Sequence, residues 1–201
     1  MTEGPGWVWL GSAFAFALSM SATPGPNNAM VTASGANWGF RRSVPHMLGI
    51  SVGFPLMLLT VALGAGGAIR AHPWLHEALR WVGAAYLLWL AWRIAAADPS
   101  AGEAQAGGRP LSFLQAALFQ WVNPKAWVIA LSAVATYTTA WAEAVLLAAI
   151  FLVVTLPVVA GWTLVGVGAA RLLRGRAALR AFNWAMAALL LLSLMPILLE
   201  P

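Results

Sequence analysis

The chain has 201 residues, of which 61% are hydrophobic and only 8% are charged. A soluble domain carries roughly 25% charged residues, so the 11 basic and 6 acidic side chains cannot cover a water-facing surface of this length. The composition therefore excludes an ordinary soluble protein and predicts that the chain lies in lipid. The basic residues fall in short gaps between apolar runs, which is typical of membrane loops, and no nucleic-acid partner is expected.

Six apolar runs are long enough for transmembrane helices, each of which needs roughly 20 residues. The third run is the weakest because only Trp81–Trp92 is free of charge, so that Arg80 and Arg93 must reach opposite interfaces. The sequence thus predicts an all-α membrane protein with six transmembrane helices. The runs lie at 7–23, 44–69, 74–97, 112–137, 143–169 and 179–199.

A polar segment rich in Gly, Ala and Pro divides these runs into two sets of three. Residues 1–97 are predicted to form a first three-helix repeat, 98–110 a linker loop, and 111–201 a second three-helix repeat. Because three is an odd number, two such units in one membrane have opposite orientations. This is the inverted-repeat arrangement of many secondary transporters.

Arginines are distributed unequally between the two predicted faces. The gaps after the first, third and fifth runs contain eight arginines, and the other gaps contain two, Arg70 and Arg80. The positive-inside rule then places both termini outside the cytoplasm. The eight arginines are Arg41, Arg42, Arg93, Arg109, Arg171, Arg174, Arg176 and Arg180.

The first run leads into a segment, Thr23–Asn28, that interrupts the helical pattern. Proline removes a backbone donor and glycine relaxes the backbone. In lipid, the freed backbone groups cost several kcal/mol unless they line a protein-enclosed, water-filled cavity. The alternative is that the first span simply ends here with a polar turn among the headgroups. The candidate binding residues of this segment are Pro24, Gly25, Pro26, Asn27 and Asn28.

A second interruption, Asn123-Pro124-Lys125, lies near the middle of the fourth run, and Lys125 is the only lysine in the chain. A charge at the bilayer centre costs about 2.5–3.5 kcal/mol and usually has a function. Alternatively, the span begins late, near Leu118, and Lys125 extends to the cytoplasmic surface.

Broken helices at matching places in two halves indicate a transporter binding site. We expect a zwitterionic amino acid to place its carboxylate on Lys125 and on the N–H groups of a half-helix. Its ammonium group would meet the freed carbonyls and the amides of Asn27, Asn28 or Asn123.

Glycines and prolines in the second and fifth runs suggest helix contacts and hinges. Gly49 and Gly53 have the spacing that permits close helix approach, and Pro55 and Pro157 are expected to kink their helices. Ordinary close packing without motion is the alternative for each of them.

Four segments, in order, resemble motifs of the LysE/RhtB family of bacterial amino-acid exporters. Thr23–Asn28 is similar to the family's Pro-Gly-Pro-Asn signature and Asn123–Ala126 to its Asn-Pro-Lys-Ala signature. Gly35–Gly53 and Leu79–Ala91 resemble its second and third spans. The resemblance covers nearly the whole chain.

This resemblance implies a secondary transporter that exports amino acids or related small zwitterions across the bacterial cytoplasmic membrane, driven by the proton gradient. Both termini would then be periplasmic. Thr155 joins the candidate binding residues because many members carry an acidic residue in the fifth span. The partners expected are an amino acid, the lipid bilayer and, through exposed small residues, a second copy in a homodimer.

Other functions remain open. A metal or cation exporter of the same superfamily and a non-transport membrane assembly protein are the alternatives. An enzyme is not expected because the sequence shows no nucleophile–base pair, and the His72 and His76 pair is separated by Pro73 with no third ligand. No cofactor and no metal site are predicted.

Overall fold

The computed structural model describes residues 6–97, 109–173 and 175–195, with the backbone alone at 68–70, 73, 75 and 76. Every element in these ranges is helical. Most of the predicted linker, 98–108, lies outside the described residues. The chain therefore builds its core from packed helices alone in the part that the structure describes.

The helices follow one another with short connections. Two of them end in a turn of different pitch: α2 continues into a π-helical turn, and α5 continues into a 3-10 turn. The helices are α1 Trp7–Ala22, α2 Pro26–Thr60 with its π-turn Val61–Ala65, α3 Gly66–Ala71, α4 Pro73–Ala95, α5 Phe113–Phe119 with its 3-10 turn Gln120–Val122, α6 Pro124–Tyr137, α7 Trp141–Leu172 and α8 Arg176–Leu192.

Two described helices have both the length and the hydropathy of a membrane span. They are Pro26–Ala65 and Trp141–Leu172, which contain 18-residue windows of mean hydropathy 2.0 and 2.7. Trp7–Ala22 and Phe113–Val122 are apolar but shorter. α2 and α7 form the most extensive helix contact among the described residues, so the two helices that meet both criteria pack against each other.

α2 begins much earlier than the sequence suggested. The second span was expected at 44–69, with 24–43 outside the spans, but the helix begins at Pro26. Proline suits the first position of a helix because the N–H that it lacks has no partner there and its φ is already helical. α2 itself is broken at Gly39, whose φ of +78° lies in the left-handed region. We call residues 26–38 the N-terminal piece of α2.

One end of the molecule is marked by tryptophan and tyrosine. Trp9 Nε1 donates a hydrogen bond to the Tyr137 carbonyl at 3.1 Å, and Tyr137 Oη donates to the Ser12 carbonyl at 3.3 Å. These contacts join the beginning of α1 to the end of α6. We call this the aromatic end.

The opposite end carries a pair of buried amides. Asn37 Nδ2 donates to Asn183 Oδ1 at 2.8 Å, and Asn183 Nδ2 donates back at 3.0 Å and also to the Ala97 carbonyl at 3.4 Å. These bonds join the N-terminal piece of α2, the residues after α4, and α8. Because the described arginines of the predicted cytoplasmic face lie close to them in the chain, we call this the arginine end.

The two interrupted segments run in opposite directions between these ends. α1 leads inward from the aromatic end, and the N-terminal piece of α2 continues to the arginine end. α5 leads inward from the arginine end, where the Arg109 carbonyl accepts from Arg93 Nη2 at 3.3 Å, and α6 continues to the aromatic end. Both interruptions therefore fall in the middle of the molecule.

Glycines let α2 and α7 approach backbone to backbone. A Cβ on Gly35 would meet the Thr163 carbonyl oxygen, and a Cβ on Gly166 would meet the Thr32 carbonyl oxygen. Thr32 Oγ1 also donates to the Trp162 carbonyl at 3.2 Å. The N-terminal piece of α2, from the first predicted unit, is thus docked on α7 of the second.

The predicted packing glycines lie against α5. A Cβ on Gly49 would be 2.7 Å from Ala116 Cβ, and one on Gly53 would be 2.6 Å from Ala117 Cα. Pro55 and Pro157 lie inside α2 and α7. Helical dihedral angles continue through both prolines, so the break in α2 is at glycine.

Substitution Gly166→Ala tests the contact between α2 and α7. The added methyl group would meet the Thr32 backbone, which cannot move aside as a flexible side chain can, so we expect a loss of about 1–3 kcal/mol. Unfolding of the purified protein in detergent measures this loss. Gly168→Ala is the matched control, because a Cβ there has no atom within 4 Å. Equal stability of the two variants would contradict the close approach.

Candidate functional site

The first helix interruption leaves backbone carbonyls without helical partners. Thr23 departs from the helix with φ −59° and ψ 131°, and Gly25 is fully extended at φ 179°. The carbonyl oxygens of Thr23 and Pro24 accept hydrogen bonds from Lys125 Nζ at 2.6 and 3.3 Å. The ammonium group of the second interruption therefore caps the backbone of the first.

Gly25 gives Lys125 the room to reach this position. A Cβ at Gly25 would lie 2.8 Å from Lys125 Cδ and 3.0 Å from its Nζ. An ammonium group has three N–H donors, and the two carbonyls use two of them. One donor remains for a ligand.

Lys125 owes its place to the break in the fourth predicted span. Asn123 is extended, with φ −89° and ψ 109°, and α6 begins anew with Pro124 at its first position. α5 begins at Phe113, five residues before the alternative start of the span near Leu118. Lys125 is half-buried and turned toward the opposite break.

Asn28 satisfies further backbone groups at the first interruption. Its Nδ2 donates to the Ser21 carbonyl at 2.9 Å and to the Thr23 carbonyl at 3.0 Å. Asn28 is itself buried, and both bonds are partly buried. Asn28 thus satisfies the backbone of the first interruption, and Asn27 has a different partner.

Asn27 pairs with a residue that the sequence reasoning missed. Asn27 Nδ2 donates to Gln120 Oε1 at 2.9 Å, and Gln120 Nε2 donates to Asn27 Oδ1 at 3.1 Å. Gln120 is fully buried and also donates to the Ala116 carbonyl. A glutamine within an apolar run, three residues before the second interruption, was the signal that could have revealed it.

A central cavity lies between the two interruptions. Its volume is about 50 Å³, and because roughly 10–15 Å³ holds one water molecule, it accommodates only a few waters. Phe54, Phe151 and Ile50 are among its apolar walls. Its polar lining consists of Ser21, Gly25, Asn27, Asn28, Asn123, Lys125 and Thr155.

Six of the nine candidate binding residues therefore line one cavity. Pro24, Pro26 and Pro124 do not line it but shape the two interruptions. Thr155 Oγ1 lies 3.3 Å from Ser21 Oγ, which joins α7 to α1 at the cavity wall. Ser21 was not predicted, since nothing distinguishes it from the other serines of the first run.

One polar atom at this cavity has no partner. Asn123 is buried, and its Oδ1 is one of two buried side-chain atoms in the described residues without a hydrogen bond. Such atoms are rare in folded proteins. The site thus combines a donor with spare capacity, Lys125, and an unused acceptor, Asn123. No cluster of three or more His, Cys, Asp or Glu occurs in the ranges that the structure describes.

Two broken helices that meet around an ammonium group and a polar cavity, in a chain of this apolar composition, are consistent with the class of all-α integral membrane proteins. Comparison with known sequences identifies the family within this class. The sequence model of the LysE type translocator family matches residues 18–194. The chain belongs to this family, as its motifs predicted, and is thereby placed among multi-pass proteins of the bacterial inner membrane.

Similar proteins are described as cysteine/O-acetylserine efflux proteins. The one from Salmonella typhimurium strain LT2 is 36% identical over 128 residues, which is 64% of this chain and 65% of the relative. Those from Shigella flexneri and Klebsiella pneumoniae are 33% and 34% identical, over 66% and 61% of their own lengths. The matches thus span less than two thirds of these relatives. No solved structure matches the chain.

The Asn27–Gln120 pair provides a test of the site's geometry. Replacing either residue by Leu leaves a buried amide unpaired, and we expect each single variant to lose about 1–3 kcal/mol. The double Leu variant should lose less than the sum, as unfolding in detergent would show.

The exchanged variant, Asn27→Gln with Gln120→Asn, is the control because it restores an amide pair of the same total size. Additive losses in the Leu cycle, with no recovery in the exchanged variant, would contradict the pairing.

Proposed function

We propose that this protein is a secondary transporter that exports small neutral amino acids, or closely related zwitterions, from the cytoplasm. One observation carries the proposal: Lys125 from one broken helix donates to the backbone of the other, beside a polar cavity. Irregular backbone is tolerated at membrane depth where it is buried in protein or lines a cavity. Midplane sites between broken helices are typical of secondary transporters.

The polar groups of the cavity suit a zwitterion. The remaining N–H donor of Lys125 can bind a carboxylate, and the unpaired Asn123 Oδ1 can accept from an ammonium group. Among the described residues no acidic side chain lines the cavity, so the Lys125 charge would repel a metal ion or an organic cation. This favours an amino-acid exporter over the cation exporter that the sequence left open.

The size of the cavity indicates which substrates are suitable. Room for a few waters is too small for an amino acid, so binding requires the helices at the interruptions to separate. The cysteine and O-acetylserine named for the relatives are small amino acids with short side chains. We therefore propose substrates of this size class.

We further propose six membrane spans arranged as two inverted three-helix repeats, with both termini in the periplasm. Support comes from the antiparallel courses of the two interrupted segments. The contacts are also reciprocal: α1 of the first unit packs on α7 of the second, and α5 of the second packs on α2 of the first. The arginine end would then face the cytoplasm.

Export is proposed to be driven by the proton gradient, as the family resemblance implies. Thr155 at the cavity stands where many members carry an acidic residue, so a carboxylate at this position of α7 is not the proton carrier in this chain. A protonophore added to energised vesicles should abolish accumulation if the gradient drives transport. Unchanged accumulation would contradict this part of the proposal.

Substitution Lys125→Met tests the transport site. We expect counterflow of O-acetylserine or serine in proteoliposomes to fall about 10- to 100-fold, since hydrogen bonds to charged groups contribute about 1.5–3 kcal/mol. Lys125→Arg should retain part of the activity because it keeps a cation and its donors.

Val128→Met is the matched control, because Val128 lies on the same helix, one turn away, and is 65% exposed. A Lys125→Met protein that is folded and reconstituted, yet transports at the wild-type rate, would rule out the role of Lys125. A wild-type protein that transports none of a panel of amino acids would overturn the proposed function.

A further inference from the structure

A second cavity lies at the arginine end, apart from the central cavity. Its volume is about 30 Å³, enough for two or three waters. It lies between α2, the last turns of α4 and the residues before α5. Its polar lining consists of Ser34, His46, Arg93 and Arg109. We call it the arginine-end cavity.

His46 presents an unpaired ring nitrogen there. The residue is 1% exposed, and its Nδ1 lies 3.2 Å from Ser34 Oγ, whereas its Nε2 has no hydrogen-bond partner. Within the described ranges, only His46 Nε2 and Asn123 Oδ1 are buried side-chain atoms without a partner. Each of these residues lines a different cavity.

The groups around the arginine-end cavity match an oxyanion. If Ser34 donates to Nδ1, the tautomer of His46 carries its proton on Nε2 and can donate. Arg93 uses one donor on the Arg109 carbonyl and stacks over Trp89 at 5.0 Å, but a guanidinium has five donors. No carboxylate lines the cavity among the residues that the structure describes. Charge-assisted bonds from guanidinium groups are those best suited to bind a carboxylate.

The two cavities are neighbours along α2. His46 lines the arginine-end cavity and Ile50 lines the central cavity, and four residues correspond to about one helical turn, roughly 6 Å. Likewise, Met30 lines the arginine-end cavity and Asn27 lines the central cavity. Met30 and Ile50 are both buried in the same hydrophobic cluster, so apolar side chains separate the two polar spaces.

We propose that the arginine-end cavity is a second binding subsite, which holds the carboxylate of an amino acid before it passes Met30 and Ile50 to the central cavity. The identity of the substrate rests on the proposed function, whereas the existence of an anion site does not. Arg93, Arg109 and the Nε2 of His46 supply the donors. Lys125 takes no part in this subsite.

Acetate is the probe for the subsite, since it has the carboxylate without the ammonium group. Thermal unfolding of the purified protein is measured with sodium acetate against sodium chloride of equal ionic strength. Acetate should stabilise the wild type and Lys125→Met alike. Arg93→Gln and His46→Leu should weaken the apparent affinity for acetate about tenfold or more. Arg109→Gln, an exposed position that tolerates substitution, repeats the test if either variant fails to fold.

Arg176→Gln is the matched control because Arg176 is an exposed arginine near the same end and lines neither cavity. It should retain the full response to acetate. The subsite would be overturned if acetate failed to stabilise the wild type. It would also be overturned if acetate stabilised Arg93→Gln and Arg109→Gln as much as the wild type. Stabilisation by phosphatidylglycerol vesicles but not by acetate would identify a lipid headgroup as the ligand and would also overturn it.

A second measurement separates this inference from the transport function. With O-acetylserine offered from the arginine end of oriented proteoliposomes, Arg93→Gln should raise KM about tenfold with little change in kcat. With the substrate offered from the aromatic end, KM should stay at the wild-type value. Acetate binding without any transport would refute the proposed function alone, and normal KM values from both ends would refute the subsite alone.

Discussion

The structure depends on one constraint: lipid cannot hydrogen-bond the backbone groups that a broken helix exposes. Two helices are broken near the middle of the molecule, and side chains of the protein itself donate hydrogen bonds to the freed carbonyls. Lys125 donates to the carbonyls of Thr23 and Pro24, and Asn28 donates to those of Ser21 and Thr23. Each interruption is stable only because side chains near the two breaks are brought together, and that meeting creates the polar cavity.

The remainder of the fold holds the two interruptions in place. The N-terminal piece of α2 is fixed at both ends by amide pairs, Asn27 with Gln120 and Asn37 with Asn183. Between those pairs, backbone contact with α7 leaves no space for a side chain at Gly35. This piece belongs to the first half in sequence, yet its buried partners come largely from the second. Transport-site geometry is therefore shared between the halves.

Sequence reasoning identified the features that depend on composition and on local chemistry. Helical class, both interruptions and the unusual Lys125 followed from apolar run lengths, from proline and glycine, and from the cost of a charge in lipid. The family followed from the resemblance of four motifs. It missed the start of α2 at Pro26, because a proline was taken to end a helix rather than to begin one. The break at Gly39 escaped notice because a single glycine in a glycine-rich segment carries no distinct signal.

The pairing of residues far apart in the chain was the other feature that could not be predicted from the sequence alone. In the sequence, Gln120 looked like an ordinary polar residue of an apolar run. Its partner Asn27 lies 93 positions away in the chain, and only the fold brings the two side chains together. The direction of Lys125 was equally open: its side chain is long enough to reach the surface, and only the position of the opposite break determines that it turns inward. The arginines that line the same cavity as His46 come from distant segments of the chain, so the sequence alone could not group them.

The central claim is that the two interruptions enclose a water-accessible site for an amino acid. Because the chain has no cysteine, Thr155→Cys can be treated in membranes with a charged thiol reagent, with Val153→Cys as the lipid-facing control that is 67% exposed on the same helix. The account predicts rapid modification of Thr155→Cys, slowed by O-acetylserine, and little modification of Val153→Cys. Modification of Thr155→Cys that is no faster than that of Val153→Cys would contradict it, and so would the absence of protection by any small amino acid.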